Sequence, residues 1–130
     1  MTWTINPSKE EIAMLMEAGF ICRETKKFQQ AHDVFAGVRA LLPKSDVAEV
    51  ALGTVFFHQS DFDNAIAHYQ RALEKNPRSA YAYAHLGEAY LFKLEKEKAR
   101  SFLQKAIELD ARSNSASMAR HLLTLADSFR

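Results

Sequence analysis

The stretch Ala51-Leu52-Gly53-Thr54-Val55-Phe56 returns, changed but recognisable, as His85-Leu86-Gly87-Glu88-Ala89-Tyr90, 34 residues later. In both, a Leu-Gly pair is followed three residues on by an aromatic side chain. A step of 34 back from Gly53 lands on Gly19, so three of the four glycines stand on one lattice. A fixed period of this length marks a repeat architecture in which each unit is one supersecondary structure.

Other positions keep the same period. Ala31, Ala65 and Ala99 form one row of small residues, and Val38, Ala72 and Ala106 form a second. Between them stand the larger Phe35, Tyr69 and Leu103. A glycine inside a helix costs about 1 kcal/mol relative to alanine. Three at the same register therefore predict places where paired helices cross too closely for a side chain. Pro43 and Pro77 end the first two units, and Ala111 holds the matching place in the third.

Outward from the lattice, the chain reads as about seven helices and no strands. Ser8 followed by Glu11 is a capping box. Apolar residues then recur at helical spacing through Ile12, Leu15, Met16, Gly19 and Phe20. Phe28 to Leu42 forms the partner stripe, stopped by Pro43. Ser45 and Asp46 open the next helix, Asp61 the one after, and Ser79 the third pair. Ser113-Asn114-Ser115 restarts the chain for a last helix with a stripe through Met118, Leu122, Leu125 and Phe129.

Composition excludes several classes. The 130 residues suffice for one domain with a sizeable core. A formal net charge of +1 lacks the basic excess usual in nucleic-acid binders. The single cysteine, Cys22, permits no internal disulfide and fits a reducing compartment. Met1 to Asn6 shows neither the basic nor the apolar part of a signal peptide. No apolar run approaches the ~20 residues of a membrane span. The expectation is a soluble, cytoplasmic protein without membrane insertion.

Taken together, these residues resemble the tetratricopeptide repeat (TPR) family. The middle unit carries Leu52, Gly53, Phe56, Ala65, Tyr69, Ala72 and Pro77; the third adds Tyr83, Leu86, Gly87, Tyr90, Ala99 and Ala106. The first unit is weaker, with Ala18 and Cys22 where the pattern has leucine and an aromatic. The resemblance implies an all-α fold: one domain of three helix-turn-helix repeats, at about 12–45, 46–79 and 80–113, plus a capping helix at about 114–129, wound as a right-handed superhelical solenoid. Stacking supplies the core that no single pair can bury, and an end helix covers the last face.

In such a solenoid the first helix of each pair lines a concave face. Helical spacing puts Met16, Phe20, Val50, Thr54, Phe57, Tyr81, Ala84, Glu88 and Leu91 on it, flanked by Ala13, Arg23, Val47, His58 and Phe92. Most are apolar, and an exposed apolar surface of that kind marks a partner site. TPR modules that grip the carboxylate tails of heat-shock chaperones carry lysines, asparagines and arginines here. This chain has Met16, Phe20, Val50, Thr54, Ala84 and Glu88 instead, so that clamp is missing. An apolar groove is more similar to the small TPR chaperones of type III secretion. Phe28-Gln29-Gln30-Ala31-His32-Asp33-Val34-Phe35 and Asp61-Phe62-Asp63-Asn64-Ala65-Ile66 also resemble that group.

The resemblance thus implies a protein-interaction module holding an apolar peptide or amphipathic helix, as a chaperone for a secretion-system subunit does. Burial at about 25 cal/mol per Å² would drive binding, with Tyr81, Phe57, Phe20 and Leu91 as anchors. The alternative is a structural adaptor or assembly factor acting through homo-oligomerisation. Trp3 is read either as a cover for the first repeat or as a dimer contact, and the last helix as a cap or a self-association face. The five histidines include no pair at metal-ligand spacing. Asp61-Phe62-Asp63-Asn64 lacks the glycine and distal glutamate of a calcium loop. Cys22 reads as a buried, inert thiol. With no phosphate loop or nucleophile elbow, no cofactor and no enzymatic activity are expected.

Overall fold

The computed structural model describes residues 6–128; Trp3 and Phe129 lie outside them. Seven helices follow in order: α1 (Lys9–Glu24), α2 (Phe28–Leu41), α3 (Asp46–His58), α4 (Phe62–Lys75), α5 (Ala80–Phe92), α6 (Lys96–Leu109) and α7 (Asn114–Ser128). No strand occurs among the described residues. Side-chain caps explain where most helices begin. Ser8 and Glu11 form the expected capping box on α1. Ser45, Asp61 and Ser79 accept from the backbone N–H of Val47, Asn64 and Ala82, and Ser113 accepts from that of Ala116. Each such cap satisfies an N–H that the helix itself cannot, worth about 1 kcal/mol.

The turn inside each pair repeats to the residue. Lys26, Ser60 and Leu94, again 34 apart, adopt the left-handed region with φ of 64°, 62° and 64°. The amide that follows each donates back across the turn: Lys27 to the Cys22 carbonyl at 2.7 Å, Asp61 to Phe56 at 2.9 Å, and Glu95 to Tyr90 at 2.9 Å. These bonds match a Schellman-type helix end, normally closed by glycine. Here three residues with side chains occupy the strained position.

The lattice glycines do mark close crossings. A Cβ on Gly19 would fall 2.3 Å from Phe35, on Gly53 2.4 Å from Tyr69, and on Gly87 2.5 Å from Leu103. The large residue of each second helix thus fills the space the glycine leaves. Gly37, off the lattice, has nothing within 4 Å of such an atom.

Helices pack in sequence, and the layers are unequal. α3 packs on α5 and α5 on α7, while no two even-numbered helices make a comparable contact. The odd-numbered helices are therefore the inner layer of the bend. α7 lies on both α5 and α6, with Ala116, Ala119 and Ala126 buried and Arg100 paired to Asp127. Cys22 is half-buried against the first-repeat core rather than fully enclosed. No helix among the described residues is long and apolar enough to cross a membrane.

Candidate functional site

The inner layer offers two different surfaces. Between α1 and α3 it is polar. The Arg23 guanidinium lies 5.0 Å above the Phe20 ring, donates to the Thr54 hydroxyl at 2.9 Å and to Glu24 at 2.8 Å. Thr54 in turn donates to the Ala51 carbonyl. His58 places Nδ1 2.9 Å from the Thr54 carbonyl oxygen and Nε2 3.6 Å from Glu24. The hydrogen bond from Arg23, with its charge, holds the exposed Glu24 carboxyl below its ordinary range. Aromatic contact between Phe20 and Phe35, at 5.1 Å, ties this patch to the core.

On α5, His85 is bracketed by the Tyr81 ring at 4.9 Å and the Tyr69 ring at 5.6 Å, with Glu88 3.2 Å from its Nδ1. His58 and His85 each bond within their own neighbourhood. Burial pushes the Tyr81 and Tyr69 phenols up, further for Tyr69, which also feels Glu88 and Tyr81. The Tyr69 hydroxyl and the Arg23 Nε are both buried without a hydrogen-bond partner among the described residues. No group of three or more potential metal ligands is found among the described residues.

The second surface runs along the turn side of the inner layer and is apolar. Phe57 at the end of α3 meets Phe92 edge-on at 5.1 Å and Phe62 at 5.3 Å, and Phe62 lies 5.9 Å from Phe92. Phe92 is 53% and Leu94 82% exposed. With Leu91 and Leu125 they line a depression of about 140 Å³. The left-handed turn at Leu94 is what projects its side chain beside Phe92.

The nine expected groove residues divide. Met16, Phe20, Phe57, Tyr81 and Glu88 retain partial exposure. Val50, Thr54, Ala84 and Leu91 are buried and offer a ligand almost no surface; for these four the concave-face reading is corrected. The cause is the tight inner layer. Val50 is enclosed with Tyr69 and Leu86, Ala84 with Leu103 and Ala119, and Leu91 with Ala99 and Ala126. Thr54 is shut in beneath Arg23. Leu91 reaches the surface only at the floor of that depression; Phe92, its neighbour, holds the exposed place. Leu94 was hidden from a helical-spacing argument because it lies in a turn.

A polar cluster on the other side of α3 carried no sequence signal at all. Glu49, only 3% exposed, accepts from His68 at 3.0 Å and Lys75 at 3.0 Å, with Arg39 3.6 Å away. His68 stacks on Phe56 at 5.3 Å. Three successive helices, α2 to α4, are joined at this one carboxylate.

Two family models match the chain: a TPR repeat over residues 53–92 and a tetratricopeptide repeat over residues 80–113. Several solved structures share the fold. The TPR domain of Sgt2 from Aspergillus fumigatus is 16% identical with a TM-score of 0.78, over 98% of this chain and 83% of that one. The TPR2B domain of yeast Sti1, solved as a complex with pHsp70, is 20% identical at 0.77, covering 92% and 98%. The type III secretion chaperone SycD of Yersinia enterocolitica, in complex with a peptide of the translocator YopD, is 22% identical at 0.72, covering 92% and 95%. Repeats, turn geometry and fold together define a TPR protein. Its architecture is the all-α stack of helical pairs found in these domains.

Proposed function

We propose that this chain is a protein-interaction module that takes an apolar segment of a partner along the turn-side lip of its inner layer. The observation that carries the reading is the continuous Phe57–Phe62–Phe92 cluster, extended by Leu94 and Leu125 and open to solvent at Phe92 and Leu94. Large apolar side chains left outside the core at a small depression provide the kind of anchor pocket that dominates binding energy. Among the expected residues, Phe57 belongs to this lip; Phe20, Tyr81 and Glu88 lie on the adjoining polar surface, where Arg23 and the His85–Glu88 pair would orient the ligand.

The finer reading is a chaperone that shields an apolar segment of a secretion-system subunit until assembly. It is supported by the fold shared with SycD, which was solved holding a YopD peptide. Sharing the fold with heat-shock-peptide binders such as Sti1 carries less weight, because the inner layer here presents only Arg23 and no lysine among its expected ligand positions.

The test is co-purification from the native host followed by mass spectrometry, with wild type, Phe92→Glu and Gln104→Glu compared. A partner retained by wild type and by Gln104→Glu, on the outer layer, but lost with Phe92→Glu supports the lip. A partner retained equally by all three removes it.

A further inference from the structure

Among the described residues α1 is the first helix, so no earlier pair lies on its outward side. That side nonetheless carries an apolar stripe. Met14 is 71%, Ile21 56% and Leu15 37% exposed, and Ala18 is exposed between them. Two shallow depressions follow the stripe, and Met14 borders both. One lies over Ala18 and Ile21 beside Glu17, the other between Leu15, Leu41 and Pro7. A solenoid end that faces water is expected to carry a polar outer face. An apolar stripe in that place marks an interaction surface.

The path of the chain names the occupant. Pro7 is half-buried and forms part of the wall beside Met14 and Leu15. Residues 1–5, outside the described residues, therefore join the structure at the edge of the stripe. An Asn-Pro pair, here Asn6-Pro7, favours a change of chain direction. The preceding stretch reads Met1-Thr2-Trp3-Thr4-Ile5, three large apolar residues alternating with two threonines. In an extended chain that period puts all three on one side. Five extended residues reach up to about 17 Å, and α1 rises about 15 Å from Ser8 to Ala18. The length suffices. The stretch also carries no charged side chain, whereas Glu10, Glu11 and Glu17 border the stripe beside Lys9. A second α1 laid on this face would bring mostly like charges together, which opposes pairing; the neutral stretch meets no such penalty.

We propose that residues 1–5 fold back over α1 as a short extended strap, Trp3 against Met14 and Ala18, and Ile5 against Leu15 and Leu41. The strap closes the first repeat as α7 closes the last. The partner of this surface is the chain itself. It is separate from the Phe57–Phe92 lip, so strap and ligand binding stand or fall independently.

Trp3 is the only tryptophan, so its fluorescence in the full chain, excited apart from the tyrosines, tests the proposal directly. Wild-type emission should lie to the blue of the urea-unfolded protein, with acrylamide quenching severalfold weaker, at every concentration of a dilution series. Met14→Lys and Ala18→Lys change exposed helix positions. Each should move emission and quenching to the unfolded values while circular dichroism shows the helices intact. Leu94→Lys, as exposed but at the lip, should leave both unchanged. A wild-type tryptophan as accessible as in urea overturns the proposal. So does shielding that survives both α1 variants. Shielding lost on dilution overturns it too, because the stripe would then be covered by a second copy.

Discussion

Gly53 on α3 and Tyr69 on α4 approach so closely that a Cβ on the glycine would lie 2.4 Å from Cε1 of the ring and 3.1 Å from the Ala65 carbonyl oxygen. Neither neighbour is the loose end of a flexible chain, so the contact cannot be relieved by a rotamer change. Gly53→Ala should destabilise the protein by about 2 kcal/mol, the scale of overpacking in a filled core, although alanine is the better helix former. Gly37→Ala is the control. With open space around it, the same substitution should stabilise by up to ~1 kcal/mol. Urea denaturation of both variants reads the sign directly, and two shifts in the same direction would contradict the packing account.

Glu49 carries the pH dependence of the inter-repeat contact. Burial alone pushes its carboxyl up, but the hydrogen bonds from His68 and Lys75, with the charge of Lys75 and Arg39, outweigh this and leave it below its ordinary 4.5. Burial also holds the His68 imidazole below its ordinary 6.5, against the pull of Glu49. In both cases the unfolded chain binds the proton at a higher pH than the folded one. Stability is therefore full above the unfolded value and is lost as pH falls through the folded value, first for His68 below 6.5 and then for Glu49 below 4.5. Glu49→Gln should cost about 2 kcal/mol near neutrality, since removing one partner leaves the buried cluster uncompensated. The gap to wild type should then close as pH falls below 4.5. A gap independent of pH would show that the carboxylate charge is not what matters.

Much of the fold is legible in the sequence. The 34-residue lattice located the helix pairs, because each glycine answers one large residue in its partner helix. Ser8, Ser45, Asp61 and Ser79 announced helix starts through local chemistry that needs no tertiary contact. The candidate site was harder to read, for a physical reason. α3 is buried from Ala48 to Val55, so its spacing does not tell which side meets a ligand. Glu49 and Thr54 look like solvent positions but are enclosed, and their partners come from 19, 26 and 31 residues away in the chain. Leu94 escapes a helical-spacing argument because a turn has no helical face; it holds a left-handed backbone beside Phe92 and Leu125.

Ser60 should be improved by glycine. It is exposed, holds a φ of 62°, and a non-glycine residue in that region bears about 1–2 kcal/mol of strain. Glycine removes the strain but loses part of the gain to its freer unfolded chain, about 0.5–1 kcal/mol. Ser60→Gly should therefore raise stability by up to about 1 kcal/mol, and Ser60→Val should lower it by a similar amount or more, because a β-branched side chain fits that conformation worst. Thermal melts of the pair are sufficient; a stable valine variant would contradict the backbone geometry.

Leu94 holds the same strained conformation, with φ of 64°, yet it exposes 82% of a large apolar side chain. On stability grounds it is the wrong residue twice over, since glycine would relieve the backbone and a polar group would suit the solvent. Strain kept at an exposed apolar residue points to a use outside the fold, and its place beside Phe92 and Leu125 says where. Leu94→Gly should therefore do two opposite things. It should stabilise the free protein, as Ser60→Gly does, while weakening capture of the partner recovered in the co-purification, measured by titrating that partner's labelled segment. Ser60→Gly should leave capture unchanged, because the second turn contributes no side chain to the lip. If both glycines stabilise and neither affects capture, Leu94 is an ordinary turn residue and the lip ends at Phe92.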